Sequence, residues 1–431
     1  MTEHLTQGVP ISEIAERFGT PLYLYDGDIL RDTYQDLRAR LHPGVDIFYS
    51  AKANPNVSVC AVLRSLGAGI EVSSLVELRT ALRAGADPER IIFLGPGKSR
   101  AELEACVEQG IHAIVCESLD ELRTVDELRP PERTQILLRV NPTFTAKGAL
   151  LSMGGKPRQF GIDEASVIAA GEALTRCRHA DVAGIQVYMG TRILDPDVVL
   201  QNTAYVFDLA ERIAQAAGIR LDAVDIGGGL GVAYFDGEDD LDLAALVKEL
   251  NPLVGRFAAA HPGTRLIMES GRYLTACCGT YLMRVRDIKR SMGENFAITD
   301  GGTHHHMAAV GIGSFVKRNF PVDLLSRHPA ADVPDGPWNI AGPLCTPNDT
   351  VAKGVRLPEL AVGDLIGIGR SGAYGPSASP VYFLSHGYPA EVVVMRGRSY
   401  LVRRRDTVDD VLAKQSTHPD LSHQETTEET T

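Results

Sequence analysis

Eight apolar, β-branched runs alternate with longer amphipathic segments, and this alternation limits the fold more than any other feature of the chain. Helical patterns lie between the runs, and several of them end at a glycine, as in 75–85, 100–110 and 203–218. Eight strand and helix units are the number that closes a (β/α)8 TIM-type barrel, with a doubly wound open sheet as the alternative. The apolar runs are 45–50, 68–72, 90–95, 111–115, 135–140, 182–189, 222–227 and 265–270.

After residue 280 the spacing changes. Short alternating segments without helical patterns between them predict antiparallel strands, among them GTYLMRVRDIKR, FAITDGG, DLIGIGRSG and EVVVMRGRSYLVRR. We therefore expect a barrel domain over 27–280 and a β-rich barrel or sandwich over 281–415, which residues 1–26 join. The polar, acidic end of the chain, 416–431, predicts a disordered tail.

Composition argues against several classes of function. The net charge of -12 disfavours nucleic acid as a partner, because binding phosphates needs a basic surface. No apolar stretch reaches spanning length and no signal-peptide pattern opens the chain, so we expect a cytoplasmic protein without membrane contact. The 7 cysteines are scattered and lack metal-ligand spacing, which predicts free thiols and no metal site.

Polar residues with known chemistry fall at the ends of the predicted strands. Barrels of this type build their sites from the C-terminal ends of strands and the loops after them. A barrel would therefore gather these residues at one mouth, although they are far apart in sequence. They are Lys52, Glu71, the GPGK turn at 95–98, Tyr188, Thr191, Gly227, Gly228, Gly229, Glu269 and Arg272.

One lysine, a glycine-rich loop and an arginine at a single mouth indicate a cofactor that carries both an aldehyde and a phosphate. Glycine backbone can approach a phosphate closely, and barrels often bind phosphate at their last two loops. Lys52 can form a Schiff base with an aldehyde across the mouth. Pyridoxal 5'-phosphate has both groups, and Glu269 suits its pyridine nitrogen, where a carboxylate keeps the ring a strong electron sink.

Five motifs in order carry a family resemblance: FYSAKAN, DIGGGLG, ESGRY, GPLCTP and SGAYG. The chain resembles the alanine-racemase-like fold type III of pyridoxal-phosphate enzymes, and within it the decarboxylases of diaminopimelate, ornithine and arginine. The resemblance covers most of residues 20–405. It implies decarboxylation of an amino acid by a head-to-tail homodimer with shared active sites, in which the segments around Cys345 and Tyr374 complete the partner's site.

The resemblance also implies roles for the matched residues. Lys52 would be the Schiff-base lysine, Glu269 the partner of the pyridine nitrogen, and Cys345 the thiol that protonates carbon after carbon dioxide leaves. The further cofactor-binding residues that it implies are Glu71, Tyr188, Thr191, Gly228, Gly229, Arg272 and Tyr374.

Three departures from the family pattern bear on the substrate. Tyr188 stands where the family has a histidine that stacks on the cofactor ring, and Thr346 stands where decarboxylases of dibasic amino acids carry an acid. DGGTHHH (300–306) replaces a different polar sequence. With SMGGKPRQFGID and SPVYFLSH, these features resemble decarboxylases of carrier-protein-linked pathways, such as the glutamyl-carrier-protein decarboxylases of butirosin biosynthesis. That likeness implies a glutamyl thioester on an acyl or peptidyl carrier protein as the substrate.

Other functions stay open. A free diamino acid (diaminopimelate, ornithine or lysine) and a siderophore amino-acid adduct are alternative substrates. A racemase would place an arginine at the pyridine nitrogen, so Glu269 argues against one. A non-catalytic regulator would be expected to have lost cofactor ligands, but Lys52, Arg272 and Cys345 are present.

Two charged runs each have a structural and a functional interpretation. Consecutive residues of a strand point to opposite faces, so only His304 and His306 could share an ion, and we expect an active-site or interface role instead of a metal site. The arginines of VRRRD (402–406) are typical of a solvated strand end, or they could contact an acidic carrier protein.

Overall fold

The larger domain is a closed barrel of eight parallel strands. Its eighth strand pairs with its first, with Leu266 opposite Val45, so the sheet has no open edge. This closure confirms the predicted barrel and excludes the doubly wound sheet. The computed structural model describes residues 4–130, 132–144, 151–152, 157–310, 318–326 and 335–418. The barrel strands are Val45–Ser50, Gly69–Val72, Ile91–Phe93, Ala113–Cys116, Thr134–Asn141, Ala180–Gln186, Ala223–Asp225 and Arg265–Ser270.

The helices around the barrel begin and end at signals that the sequence contains. Ser74, Ser99 and Ser118 each accept a hydrogen bond from a backbone N–H three residues later, which caps the helix that follows. Gly110 and Gly218 end two helices in the left-handed conformation, as predicted. The helices of this domain are Gly27–Arg40, Val57–Ser65, Leu75–Arg83, Arg100–Gln109, Leu119–Glu127, Glu164–Ala170, Pro196–Ala217, Leu243–Ala260 and Arg272–Thr275.

Both faces of the barrel strands are buried. Inward-facing side chains, including Phe48, Ile92, Leu137 and Ile267, fill the interior with a small apolar core of their own. The outward-facing side chains pack under the helices in the main core. Because apolar side chains fill the interior, polar groups from several strands can meet only where the strands end.

The second domain is a mixed sheet that includes the N-terminal strand Leu22–Asp26. Two of its pairings are parallel, Leu22–Asp26 with Ala390–Met395 and Glu294–Thr299 with Gly336–Ala341, whereas we expected antiparallel strands. Long segments connect each of these pairs, and a parallel pairing needs such a connection because a hairpin cannot make it. The other strands of this sheet are Gly279–Ser291, Val322–Leu324, Thr350–Leu357, Leu365–Ile368 and Arg398–Arg403.

Two hydrogen bonds tie this second domain to the barrel mouth beside Lys52. Asn54 Nδ2 donates to the carbonyl of Gly372 at 3.0 Å, and the N–H of Tyr374 donates to the carbonyl of Ala53 at 2.7 Å. The SGAYG segment therefore forms one wall of the mouth. The remaining short strands and α-helices are Leu5–Thr6, Val9–Pro10, Ile11–Phe18, Leu151–Ser152, Ile162–Asp163, Gly190–Thr191 and Val408–Leu412.

The structure does not test every prediction made from the sequence. Residues 419–431, most of the predicted acidic tail, lie outside the described residues, as does part of SMGGKPRQFGID. Within the described ranges, no helix combines the length and the apolar character needed to cross a bilayer.

Candidate active site

Lys52 lies at the mouth of the barrel in a short helical turn after the first strand. Its Nζ donates to Oε2 of Glu71 at 2.9 Å, and Ser73 Oγ donates to the other oxygen of that carboxylate. Glu71 is fully buried, whereas 37% of the Lys52 side chain is exposed to the cavity. Burial acts to lower the pKa of Lys52, but the charges of Glu71 and Glu269 outweigh it, so the pKa is raised. Lys52 is therefore an ammonium held by a buried carboxylate.

Glu269 ends the eighth strand beside two other buried polar residues that end neighbouring strands. Gln186 Nε2 donates to Glu269 Oε1 at 2.8 Å. The pKa of Asp225 is raised well above its usual value by burial and by the charge of Glu269. Burial and the charge of Glu71 also raise the pKa of Glu269, although Lys52 opposes them. We infer that Asp225 is protonated, which leaves Glu269 as the carboxylate of this pair that faces the cavity.

The glycine loop after the seventh strand fits tightly between its neighbours. A Cβ on Gly228 would collide with the carbonyl oxygen of Glu269. Gly229 has φ +102 and lies against the carbonyl of Gly190, so a side chain there would be strained and would clash. Glycine is therefore required at both positions, and Gly229 lines a small pocket together with Lys52, Glu269 and Arg272.

Arg272 lies beside this loop, at the start of a short helix after the eighth strand. Its Nη1 donates to the hydroxyl of Tyr234 at 3.1 Å, and its guanidinium carbon lies 4.5 Å from the ring centre of Tyr374. The buried Nε of Arg272 has no hydrogen-bond partner within the described residues. The site therefore keeps a cationic donor available at the glycine loop.

A cavity of about 440 Å³ is lined by Lys52, Glu269 and Arg272. Tyr188 and Thr191 line it from the loop after the sixth strand, and the Tyr188 ring centre lies 5.8 Å from Lys52 Nζ. Burial raises the pKa of Tyr188 to about 12, so its ring is neutral where the family histidine could be charged. Leu94 and Phe160 give one side of the cavity an apolar wall.

Tyr374 and Cys345 are placed differently. Tyr374 has φ +55 and lines the cavity of its own chain, whereas the resemblance implied that its segment completes the partner's site. Cys345 is exposed and is not among the described residues that line the cavity with Lys52. The structure therefore gathers the predicted barrel residues and Tyr374 at one site and leaves Cys345 outside it.

Several polar residues of the mouth were not identified from the sequence. Arg139 lines the cavity, donates to Glu117 Oε1 at 2.6 Å and lies under the ring of Phe160. Gln186 and Asp225 complete the surroundings of Glu269. A polar residue at the end of an otherwise apolar strand is the signal that reveals all three, and it is the signal that identified Glu71. Lys98 of the GPGK turn, by contrast, is buried and bonded to Glu121 and two carbonyls, away from the cavity.

The histidine run is buried in the second domain, at the base of the loops that carry Cys345 and Tyr374. His305 Nε2 contacts the carbonyl of Gly387 at 2.9 Å, and His306 Nε2 contacts Ser371 Oγ at 2.8 Å. Burial lowers the pKa of His306 to about 3, so it is neutral at physiological pH. In the part of the chain that the structure describes, no cluster of three or more ligand side chains is arranged to hold a metal ion.

The arginines of VRRRD are engaged within the chain. The guanidinium of Arg403 lies 3.7 Å from the ring centre of Tyr388, Arg404 pairs with Asp410, and Arg405 donates to the carbonyl of Pro21. These contacts agree with the interpretation as a strand end, and the ion pair with Asp410 neutralises the charge of Arg404.

Residues 28–276 match the family described as pyridoxal-dependent decarboxylase, pyridoxal binding domain. The chain belongs to this family. The decarboxylase is similar to L-glutamyl-[BtrI acyl-carrier protein] decarboxylase of Niallia circulans, with 40% identity over 409 residues, which cover 94% of this chain and 96% of the relative. It is also similar to the diaminopimelate decarboxylase of Methanothermobacter thermautotrophicus, with 32% identity over 425 residues, which cover 96% and 95%.

Solved structures of the family share the whole architecture. The diaminopimelate decarboxylase of M. jannaschii in complex with L-lysine superposes with a TM-score of 0.86 at 26% identity and covers 96% of both chains. The enzyme from Helicobacter pylori, also with L-lysine, gives 0.83 at 28% identity and covers 93% of this chain and 98% of its own. The chain is thus an amino-acid decarboxylase that uses pyridoxal 5'-phosphate, and the predictions of family, fold and cofactor are confirmed.

Proposed function

We propose that this decarboxylase removes the α-carboxylate of a glutamyl group carried as a thioester on a carrier protein. The observation that carries the proposal is the 40% identity to the L-glutamyl-[BtrI acyl-carrier protein] decarboxylase, against 32% to the diaminopimelate decarboxylase at similar coverage. A difference of this size over nearly the full length favours the carrier-linked substrate.

The charges of the cavity support the same substrate. A free diamino acid brings a second ammonium, and an unpaired ammonium is costly to bury. Glu269 is the carboxylate among the described lining residues, and we assign it to the cofactor and not to a substrate ammonium. Thr346 follows Cys345 where a carboxylate would serve a diamino acid, and its hydroxyl accepts from the N–H of Asn348 at 3.4 Å.

The residues of the cavity suit pyridoxal 5'-phosphate. The Nε of Arg272 is a buried polar atom without a hydrogen-bond partner in the described residues, and Glu269 lines the same cavity as Lys52 and Arg272. We assign the phosphate to Arg272 and to the ligands that the sequence predicted, namely Thr191, Gly228, Gly229 and Tyr374. Glu269 takes the pyridine nitrogen, and Tyr188 supplies an aromatic face to the ring.

The protein groups divide the chemistry between them. The bound cofactor supplies an electron sink for the charge that remains when carbon dioxide leaves. Lys52 Nζ is the amine that binds the cofactor aldehyde, and Glu71 orients that amine when the cofactor does not hold it. The negative charge of Glu269 holds a proton at the pyridine nitrogen, and the Cys345 Sγ–H delivers a proton to the reacting carbon.

We propose further that Cys345 acts in the site of a second copy of the chain. Its exposure and its place outside the cavity of its own chain support this homodimer with shared sites. The free cysteines of the described residues suit a reducing compartment, so we assign the reaction to the cytoplasm.

A free diamino acid is the second candidate, because the relatives at 32% identity and the solved structures named above are diaminopimelate decarboxylases. On this alternative the chemistry at Lys52 and Glu269 is the same, and only the group that binds the far end of the substrate differs.

Carbon dioxide release by the cofactor-loaded protein separates the two. The assay offers free diaminopimelate, ornithine, lysine and glutamate in parallel with glutamate loaded on a carrier protein. We expect release only from the loaded carrier, with Lys52→Ala protein and unloaded carrier as controls. Release from a free diamino acid, and none from the loaded carrier, would refute the carrier-linked substrate and leave the decarboxylase chemistry intact.

A further inference from the structure

Asp349 is a buried carboxylate four residues after Cys345, and only 3% of it is exposed. Its Oδ1 accepts from the N–H of Thr303 at 2.7 Å and from the Thr303 hydroxyl at 2.9 Å. Its Oδ2 accepts from the N–H of Leu344, the residue before Cys345, at 2.8 Å. One side chain therefore joins the Cys345 loop to the start of the histidine run.

Two glycines make room for this carboxylate. A Cβ at Gly302 or at Gly342 would collide with an oxygen of Asp349, since both glycines lie directly against the carboxylate. The N–H of Gly342 also donates to the carbonyl of Asp349 at 3.0 Å, which closes the loop on itself. The packing thus fits an aspartate side chain on both sides.

The histidine run on which this loop rests is itself fixed at several points. Ser371 Oγ donates its proton to the carbonyl of Ile368 at 2.7 Å. Its contact with His306 Nε2 at 2.8 Å is therefore one in which the serine accepts, so His306 carries its proton on Nε2. Tyr23 donates its hydroxyl to the carbonyl of His305 at 2.7 Å. Because Ser371 precedes Tyr374 by three residues, the run joins the loop of Cys345 to the wall of the cavity that Tyr374 forms.

We propose that Asp349 is a positioning residue that sets the place of the Cys345 thiol by clamping its loop onto residues 301–306. Both carboxylate oxygens are used within the protein, so Asp349 acts through the loop and does not touch the substrate. The inference rests on the role proposed above for Cys345. It also gives the DGGTHHH segment a function, namely a rigid base shared by two segments of the site.

Asp349→Asn is the direct test. Both oxygens of Asp349 accept from backbone N–H groups, so the amide NH₂ of asparagine would place a donor against a donor at one of them. Asp126→Asn is a matched control. Asp126 Oδ1 accepts from the N–H groups of His179 and Ala180, at 2.6 and 3.1 Å, where a barrel strand begins at the end opposite the mouth. Both variants remove the charge of a carboxylate that anchors backbone. The amide of Asp126→Asn can keep its Oδ1 acceptor, so this control reports the loss of charge away from the Cys345 loop.

Two readouts are measured on the cofactor-loaded protein. One is the rate at which iodoacetamide alkylates Cys345, followed by peptide mass spectrometry, with the exposed Cys277 as an internal reference. The other is kcat and KM on the substrate that the carbon dioxide assay identifies, for Asp349→Asn, Cys345→Ala and the double variant. Where Asp349→Asn does not yield folded protein, Thr303→Val removes one of the three bonds and Thr303→Ser retains it.

We expect Asp349→Asn to speed alkylation of Cys345 but not of Cys277, and to lower kcat about 10- to 100-fold with little change in KM, since misplacing a reacting group costs up to this much. The double variant should be no slower than Cys345→Ala. Three results would overturn the proposal. They are an alkylation rate unchanged from wild type, an equal loss of kcat in Asp126→Asn, and a double variant in which the losses of kcat from Asp349→Asn and Cys345→Ala multiply. A fully active Cys345→Ala would refute the role of the thiol instead, and alkylation alone would then decide whether Asp349 holds the loop.

Discussion

Replacing Glu269 with glutamine should weaken cofactor binding while leaving the apoprotein at least as stable. In the apoprotein the carboxylate is 1% exposed and lies near the buried carboxyls of Glu71 and Asp225. Burial and the charge of Glu71 raise its pKa, although Lys52 and hydrogen bonds from Gln186 and Asp225 oppose them, so its charge is a cost to the folded state. Glutamine keeps the size of the side chain and removes that charge, and the bond with Gln186 can persist through its amide oxygen.

The loss of affinity follows from the kind of hydrogen bond that the pyridine nitrogen receives. A bond to a charged group contributes about 1.5 to 3 kcal/mol and a neutral bond about 0.5 to 1.5 kcal/mol. The difference, about 1 to 1.5 kcal/mol, corresponds to about 5- to 13-fold in the dissociation constant at 1.36 kcal/mol per factor of ten. The loss of kcat should be larger, about 10²- to 10³-fold, because the charge stabilises the transition state in a site that excludes water.

Titrating the apoprotein with pyridoxal 5'-phosphate, followed by visible absorbance, measures the affinity, and thermal melting without cofactor measures stability. Glu164→Gln is the matched control, since Glu164 is also a buried carboxylate but is bonded to Arg212 and Thr143 away from the cavity. It should lower the melting temperature and leave the affinity unchanged. Glu269→Gln protein that binds the cofactor as tightly as wild type would refute the assignment of Glu269 to the pyridine nitrogen.

Lys52→Ala should abolish the visible absorbance that develops when cofactor is added, and an absorbance that survives dialysis would contradict the role of this lysine. The same substitution leaves Glu71 buried without its cation, so the free energy of unfolding of the apoprotein should fall by about 3 kcal/mol at neutral pH. His306 has its pKa lowered to about 3 by burial, from about 6.5 in the unfolded chain, so the unfolded state takes up the proton first as pH falls. Its contribution to stability is complete above about pH 6.5 and falls by about 2 kcal/mol at pH 5, a slope that chemical denaturation should show and that His306→Gln should flatten.

The barrel was predictable because the strands are apolar on both faces and several of the helices carry their own start and stop signals. The first and eighth strands were predicted with the bounds that they have, Val45–Ser50 and Arg265–Ser270. The helix Pro196–Ala217 begins seven residues before the predicted 203, although its signal is in the sequence: Asp195 caps the helix and Pro196 occupies its first turn. The local sequence therefore contained the start of this helix, and the prediction overlooked it.

The parallel pairings of the second domain and the wall formed by Tyr374 were not predictable in this way. Both depend on contacts between segments that are far apart in sequence, such as the bond from Asn54 to Gly372. Asn54 belongs to the FYSAKAN motif, yet nothing near it in sequence indicates that its amide anchors the SGAYG segment. Periodicity reports burial of a face, and it carries no information on which distant backbone the face or loop will meet.

The same distinction explains why the chemistry of the site is easier to read than its substrate. Lys52, Glu71, Glu269 and the glycine loop all end strands of one barrel, so a single rule of the fold places them together. The groups that would recognise the far end of a substrate lie on loops, and neither Cys345 nor Thr346 is among the described residues that line the cavity with Lys52. In the homodimer proposed above, substrate choice depends on how the two copies meet around the Cys345 loop. The bonds from Thr303 to Asp349 would then set how fast the shared barrel chemistry is completed, through the place of the Cys345 thiol and without any change at Lys52.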